Sequence, residues 1–92
     1  MALVFEWDDK KAETNLQKHS ISFEEASTAF GDDLSITIED PLHSQDENRY
    51  ILIGQSIHAR TLVVVHLEKT DSIRIISARR ATKKERKFYE ES

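Results

Sequence analysis

The sequence predicts an α+β fold in which a small antiparallel sheet of about four to five strands packs against two N-terminal helices and one C-terminal helix. Apolar residues follow a helical spacing up to residue 31, alternate with polar residues from residue 34, and return to helical spacing after residue 82. The 92 residues contain no internal repeat or linker, which favours a single domain over residues 1–92.

The composition indicates a small core and a highly charged surface. Hydrophobic residues make up 38% and charged residues 33% of the chain, against about 45–50% and about 25% in typical domains. No apolar run approaches the roughly 18 to 20 residues that cross a bilayer, and the N-terminus lacks the pattern of a secretion signal. Cysteine is absent, which excludes disulfides and thiolate chemistry. We therefore expect a cytoplasmic protein without membrane contact.

Two short helices are predicted in the first third of the chain, after an aromatic first strand. Asp8 is positioned to cap a helix over residues 9–18, where apolar residues recur on one face. Ser22 and Glu25 have the spacing of a capping box, which predicts a second helix that ends at the following glycine, Gly31.

Four strands are predicted next, because the apolar period changes from about 3.6 residues to 2. The third of them is apolar on both faces, so we expect it to lie in the centre of the sheet. Asp40 and Pro41 end the first strand, and the polar residues 43–48 predict an exposed loop. The predicted strands span residues 34–39, 49–54, 60–67 and 73–78.

The C-terminal end combines a predicted helix with positive charge. Thr82 and Glu85 have capping-box spacing, which predicts a helix up to about residue 90. Residues 73–92 carry 7 basic and 3 acidic side chains, whereas residues 1–72 carry 6 and 14. This basic end is a candidate contact surface for a polyanion, although a solvated helix with mixed charges would explain it equally well.

The sequence motifs of several enzyme classes are missing. The four histidines, His19, His43, His58 and His66, have no metal-ligand spacing, so no metal site is predicted. The two glycines form no phosphate-binding loop, and a G-x-S-x-G motif is absent. The remaining basic, acidic and imidazole groups suit metal-free cleavage of RNA. RNA supplies its own nucleophile, the 2′-hydroxyl, and needs only a base, an acid and cations from the protein.

Arg79 and Arg80 are the candidates for stabilising the phosphate during such a cleavage. They end an apolar strand beside the basic helix, and the planar guanidinium binds two phosphate oxygens at once. Regular alternation would place Ile75 and Arg79 on one face of this strand and Ala78 and Arg80 on the other.

His19, His66 and Glu85 are the candidates for proton transfer, and each has a structural alternative. His19 ends the first predicted helix, where a donor meets exposed carbonyl groups. His66 alternates with apolar residues and fits a hydrogen-bonded core histidine, while Glu85 fits a helix cap. The choice of the general base stays open among these residues.

Several short motifs occur in one order along nearly the whole chain. They are Phe5-Glu6-Trp7-Asp8, Lys11 with Asn15 and Lys18-His19, Phe23-Glu24-Glu25-Ala26, Arg49-Tyr50 with Ile53-Gly54, and Arg60-x-Leu62-Val63-Val64-Val65. The most specific motif is Ile73-Arg74-Ile75-Ile76-Ser77-Ala78-Arg79-Arg80, followed by Ala81-Thr82 and Glu85-Arg86. On these motifs the chain resembles the BrnT family, the ribonuclease toxins of bacterial type II toxin-antitoxin systems.

This resemblance implies a RelE-like fold and a metal-independent endoribonuclease without a cofactor, which cleaves RNA and inhibits translation. It also implies a neutralising partner, a BrnA-like antitoxin with a ribbon-helix-helix DNA-binding part. Promoter DNA would be bound only through the toxin-antitoxin complex, and dependence on the ribosome stays open.

The basic and polar positions define the candidate site. The candidate catalytic residues are Arg79, Arg80, His19, His66 and Glu85. The candidate RNA-binding residues are Lys11, Lys18, Arg49, Arg60, Arg74, Lys83, Lys84, Arg86 and Lys87. The alternative is a non-catalytic, toxin-like module that serves as antitoxin partner and transcriptional co-repressor. The acidic residues 1–72 favour this alternative, because they reduce the cationic surface available to RNA.

Overall fold

The computed structural model of the chain describes residues 3–41 and 48–92. Within these residues, five strands, three α-helices and one 3-10 turn follow one another. In chain order they are β1 (Phe5–Glu6), α1 (Asp9–His19), α2 (Phe23–Thr28), the 3-10 turn (Ala29–Gly31), β2 (Ile36–Glu39), β3 (Arg49–Gln55), β4 (Thr61–Glu68), β5 (Ile73–Arg80) and α3 (Lys83–Glu90). The α+β class is confirmed; the expected loop at 43–48, with His43, lies outside the described residues except for Asn48.

The strands form one mixed sheet in the order β1-β5-β4-β3-β2. The prediction that β4 is central is therefore confirmed. Strands β2 to β5 pair antiparallel, but β1 pairs parallel to β5, so the expectation of a purely antiparallel sheet is wrong at this edge. No hairpin joins β1 to β5, because two helices and three strands separate them in the chain.

One face of the sheet is buried beneath α1 and α2. Phe23 and Ala26 of α2 are fully buried and belong to the same core cluster as Leu62 and Val64 of β4. Trp7 packs edge-on against Phe23, with a ring-centroid distance of 5.9 Å. Each fully buried large side chain contributes about 1.5–3 kcal/mol, so this cluster provides much of the stability of the fold.

A β-bulge in β5 changes which side chains share a face. Ser77 pairs with Val65 and Ile75 pairs with His66, which leaves Ile76 as an extra residue in β5. Ile75 and Ala78 are consequently both buried in the core, although regular alternation would separate them. The prediction that these two residues lie on opposite faces is therefore wrong.

Asn15 forms hydrogen bonds to the edge of β5 in the part of this strand that does not pair with β1. β1 pairs with β5 only as far as Arg74, so the rest of this edge has free backbone groups. The Asn15 amide donates to the carbonyls of Ile21 (3.0 Å) and Ala78 (2.8 Å), and its oxygen accepts from the Ala78 N–H (3.1 Å). Asn15 is only 7% exposed, and these bonds hold α1 against β5.

A buried ion pair fixes α2 to the turn between β3 and β4. The Glu25 carboxylate accepts hydrogen bonds from Arg60 Nε (2.8 Å) and Ser56 Oγ (2.7 Å), and it also contacts Arg60 Nη2. Burial disfavours the charged form of Glu25, but the hydrogen bonds from Arg60 and Ser56 outweigh burial and lower its pKa. The turn that precedes β4 is thereby held in one conformation.

We predict that Asn15→Ala lowers the free energy of unfolding by about 2–4 kcal/mol, because it leaves two carbonyls and one N–H without partners in a buried place. Urea denaturation measures this change. Gln17→Ala, an exposed change on the same helix, is the control and should shift stability by no more than about 0.5 kcal/mol. Equal effects of the two substitutions would contradict the role given to Asn15.

Candidate functional site

A basic groove runs between α1 and the bulged edge of β5, with a volume of about 470 Å³. Lys11 and Lys18 are seven residues apart and therefore lie on one side of α1. The groove is lined by Asp8, Lys10, Lys11, Thr14, Asn15, Lys18, His19, Ile76 and Ser77. It thus collects three lysines and a histidine in one concave surface.

The single carboxylate of the groove, Asp8, is occupied by the start of α1. It accepts hydrogen bonds from the backbone N–H groups of Lys10 (2.8 Å) and Lys11 (3.2 Å), as the capping prediction requires. Backbone hydrogen bonds from Lys11 and Lys10 lower the pKa of Asp8. Across residues 3–41 and 48–92, the side chains of Lys11 and Lys18 form no ion pair. They are free to bind an anion.

His19 is the histidine that the structure places in this groove. It is the last residue of α1 and is half-buried. At this helix end, the N–H of Ser20 bonds to the carbonyl of Leu16, and Ser20 adopts the left-handed conformation with φ 59°. The backbone therefore caps the helix, and no hydrogen bond from the His19 ring to a carbonyl is found among the described residues. The imidazole is available to a bound molecule.

Arg79 and Glu85 form a two-point ion pair at the end of β5. Arg79 Nη1 and Nη2 lie 2.7 Å and 2.8 Å from the two Glu85 oxygens, and Nη1 also donates to the Arg80 carbonyl at 3.2 Å. Glu85 accepts from the Thr82 N–H and its own N–H bonds to Thr82 Oγ1, which confirms the predicted capping box. Ser77 and Arg79 pair with Val65 and Val63 of β4, so they lie on the same face of β5.

The ionisation of Glu85 argues against the proton-transfer role considered for it. The hydrogen bond from Arg79, together with the bonds from Thr82, lowers its pKa to about 2 despite partial burial. A general acid or base works best with a pKa near the operating pH. Glu85 therefore stays ionised at neutral pH and serves to orient Arg79.

Helix α3, which carries Glu85, is held to the sheet through Tyr89. Its hydroxyl donates to Asp32 Oδ2 at 2.5 Å, and the same oxygen accepts from the Gln55 N–H at 2.8 Å. The hydrogen bond to Asp32 raises the pKa of Tyr89 to about 12. The position of Arg79 thus depends indirectly on this contact.

His66 lies in the core, so it cannot serve as the general base that the sequence suggested as one option. Its side chain is 0% exposed. The ring of Phe30 meets it edge-on at 4.8 Å, and Tyr50 stacks on it at 6.0 Å between centroids. Its Nε2 lies 3.2 Å from a Glu68 oxygen. A substrate has no access to this ring, and the core-histidine alternative describes it correctly.

Three of the predicted RNA-binding arginines have carboxylate partners within the protein. Arg49 pairs with Asp40 at 3.1 Å, and Arg60 pairs with Glu25. Arg74 pairs with Glu6 at 3.0 Å, alongside Lys69 and Ser72. These pairs give the arginines a structural role, and their contact with RNA stays a prediction.

The remaining predicted cations are on or near α3. Lys83, Lys84, Arg86 and Lys87 are exposed, and no ion pair involves them in the part of the chain that the structure describes. Arg80 is also exposed, but it pairs in register with Leu62, whereas Arg79 pairs with Val63. The two arginines therefore face opposite sides of β5, and the structure does not bring them together around one phosphate.

Some groove residues were missed by the sequence reasoning. Lys10, Thr14 and Ser77 line the groove, yet none belongs to the predicted site. Thr14 lies three residues after Lys11 on the same side of α1, a signal that helical periodicity carries. The position of Ser77 in the groove depends on the β-bulge in β5, and no sequence pattern indicated this bulge. In residues 3–41 and 48–92, no group of three or more metal-ligating side chains occurs, and no helix has the length and apolar character of a membrane span.

Comparison with known proteins gives two findings. Residues 7–85 match the family model described as the ribonuclease toxin, BrnT, of type II toxin-antitoxin system. The fold is similar to the crystal structure of the Brucella abortus ribonuclease toxin, BrnT, with a TM-score of 0.69 and 19% sequence identity over 89% of this chain and 100% of that chain. Among curated proteins, no relative matches the sequence.

We predict that the Arg79–Glu85 pair makes stability depend on acid pH. The pKa of Glu85 is about 2 in the folded protein and near 4.5 when unfolded, so its stabilising effect is complete above about pH 4.5 and is lost as the pH falls towards 2. Glu85→Gln should therefore destabilise the protein at pH 6 and have little effect near pH 2. Urea denaturation across this range measures the difference, with the exposed Glu90→Gln as a control. A pH-independent effect of Glu85→Gln would contradict this prediction.

Proposed function

Because the chain belongs to the BrnT family of ribonuclease toxins from type II toxin-antitoxin systems, we propose that it is a metal-independent endoribonuclease that cleaves RNA and inhibits translation. The observation that carries this proposal is the groove beside β5, which combines unpaired lysines with the imidazole of His19. In this proposal RNA binds along the groove and extends past Ser77 to Arg79, which does not line the groove but lies two residues further along β5 on the same face.

The proposed reaction uses the RNA 2′-hydroxyl as the nucleophile. His19 removes the proton of this hydroxyl, and the 2′-oxygen attacks the adjacent phosphorus. The bond from phosphorus to the 5′-oxygen breaks, which leaves a 2′,3′-cyclic phosphate and a 5′-hydroxyl end. The leaving oxygen takes a proton from an ammonium group of the groove, which Lys10, Lys11 and Lys18 line. No redox step and no bound cofactor is needed.

Arg79 has hydrogen-bonding capacity for the phosphate even while it is paired with Glu85. A guanidinium has five N–H donors, and three of them are used by Glu85 and the Arg80 carbonyl. The Nε–H and the second Nη2–H remain. These two N–H groups lie along one edge of the planar guanidinium and point in the same direction. This edge can bind two oxygens of the phosphate as negative charge develops, while Glu85 fixes the orientation of the plane.

The proposed biological role requires a cognate antitoxin that neutralises the toxin. In this proposal the antitoxin is BrnA-like, with a ribbon-helix-helix part, and promoter DNA is contacted only through the complex. The protein acts in the cytoplasm, where its RNA substrate is located. Cleavage on the ribosome and cleavage of free RNA are separate versions of this activity, and an RNA-cleavage assay with and without added ribosomes distinguishes them.

We predict that His19→Ala and Arg79→Ala each lower the rate of RNA cleavage by about 10²-fold or more, since each removes a group that acts in the transition state. The assay is cleavage of a defined single-stranded RNA by purified protein in the presence of a chelator, with and without ribosomes. His58→Ala is the matched control, because His58 is exposed and does not line the groove. It should retain full activity.

The outcomes of this assay separate the two functional hypotheses. Full activity of His19→Ala would remove His19 from the mechanism, and activity that appears only with added metal would contradict metal independence. If neither the wild-type protein nor any variant cleaves RNA with or without ribosomes, the non-catalytic antitoxin partner and co-repressor becomes the better description.

We predict that Lys11→Gln and Lys18→Gln weaken the binding of RNA and reduce its salt dependence. Each lost phosphate contact should lower the slope of log affinity against log salt by about 0.7 for a single strand. Fluorescence anisotropy with a 2′-deoxy oligonucleotide measures binding without cleavage. Lys69→Gln is the control, because Lys69 lies outside the groove and pairs with Glu6 at 3.3 Å. Equal slopes for groove and control variants would exclude the groove as the binding surface.

A further inference from the structure

A second basic pocket lies where the start of β4 meets the end of β5. Three arginines from separate parts of the chain line it, together with small residues, and its volume is about 330 Å³. The lining residues are Ala59, Arg60, Thr61, Arg80, Ala81 and Arg86. We propose that this arginine pocket binds a phosphate group of a nucleic-acid chain, as a site separate from the groove beside α1.

The positive charge of the arginine pocket is only partly balanced by the protein. No carboxylate lines it. In the described ranges, 3–41 and 48–92, Arg80 and Arg86 form no ion pair, and only Arg60 is paired, through Glu25. Glu25 offsets one of the three positive charges, whereas those of Arg80 and Arg86 lie beside the cavity without a carboxylate partner and repel one another. The local electrostatics therefore favour a bound anion.

One arginine of the pocket and the backbone around it are fixed by contacts within the protein. Arg60 donates from Nε and Nη2 to the buried Glu25, so its position is fixed while its Nη1 donors stay unused in the described structure. The N–H of Ala81 bonds to the carbonyl of Thr61 at 2.9 Å, which joins the start of β4 to the end of β5. The backbone positions of Arg60 and Arg80 are thereby fixed beside each other, and the ordered Arg60 side chain lowers the entropic cost of binding.

The chemistry of the lining residues favours phosphate over a base. Arginine binds phosphate oxygens through pairs of parallel N–H groups, and three arginines can surround one phosphate. The lining contains no aromatic side chain on which a base could stack. The expected recognition is therefore independent of sequence. A nucleic-acid source for the phosphate rests on the proposed function, whereas the binding of phosphate itself does not.

The arginine pocket and the groove have no lining residue in common. The groove includes Ile76 and Ser77 of β5, whereas the pocket includes Arg80 at the end of the same strand. Arg80 is not a neighbour of Lys11, Lys18 or His19 in the groove lining. A strand bound in the groove and held at a second phosphate by the arginine pocket would be fixed at two points.

The test is a titration of the full chain with inorganic phosphate, followed by the backbone NMR signals of Ala59, Thr61 and Ala81. The wild-type protein should show saturable shifts of these signals. Arg80→Gln and Arg86→Gln should each raise the dissociation constant about tenfold, the loss expected for one charge-assisted hydrogen-bonding partner. Both side chains are exposed, so the substitutions should leave the fold intact, which circular dichroism checks.

The control is Lys84→Gln, which removes the same charge from α3 but lies outside the pocket lining. It should change the dissociation constant for phosphate by no more than about twofold, because salt and solvent screen the interaction between an exposed charge and a phosphate that it does not contact. Chemical shifts that do not saturate with phosphate would overturn the proposal. Equal losses of phosphate affinity in the control and the arginine variants would overturn it as well. Neither result depends on whether the protein cleaves RNA.

A second arm identifies the source of the phosphate. Short 2′-deoxy oligonucleotides with either a 5′-phosphate or a 5′-hydroxyl end are added as competitors of inorganic phosphate. The same NMR signals report whether they displace it from the pocket. Competition by the phosphorylated form alone assigns the pocket to a terminal phosphate, and equal competition assigns it to the backbone. Either result supports a nucleic-acid ligand. If neither oligonucleotide displaces inorganic phosphate, the assignment of the pocket to nucleic acid is overturned.

Discussion

The hydrogen bonds of Asn15 to β5 are the interaction on which the rest of the site depends. β1 covers only the first residues of β5, and a side chain from α1 takes over beyond Arg74. A helix leaves more space beside a strand edge than another strand would, because strands pair at about 4.8 Å. The groove exists in this space, and the lysines and the histidine of α1 enter it because Asn15 fixes the rotation of the helix.

The basic residues divide into two groups with different surroundings. Arg49, Arg60 and Arg74 pair with carboxylates that connect neighbouring segments of the chain. The groove lysines have no such partners in the described residues, and neither do Arg80 and Arg86. This division explains how a chain with net charge −4 presents local basic surfaces. Glu6, Glu25, Asp40 and Glu85 neutralise arginines and Asp8 caps α1, so these five carboxylates are engaged within the protein.

Arg79 belongs to both groups, because Glu85 pairs with it and still leaves one edge of its guanidinium open. The pair joins the end of β5 to the first turn of α3, and Tyr89 joins the same helix to the loop before β2. The orientation of Arg79 is therefore set by a helix that forms no part of the groove. An enzyme that must stabilise charge in a transition state benefits from such fixed donors, since they need no reorganisation during the reaction.

The sequence by itself determined the α+β class, the approximate bounds of the helices and strands and the central place of β4. It also determined the N-cap at Asp8 and the capping box of Thr82 and Glu85, whereas at the predicted capping box of Ser22 and Glu25 only the Ser22 half forms, because Glu25 binds Arg60 and Ser56. These features depend on local periodicity and on side chains within one helical turn, and such patterns are visible in the chain. Only the tertiary structure decided that His66 is buried, that β1 pairs parallel to β5 and that a bulge at Ile76 shifts the faces of β5. Tertiary contacts also separated Arg79 from Arg80 and placed His19 in the groove, because burial and proximity depend on partners far away in the chain.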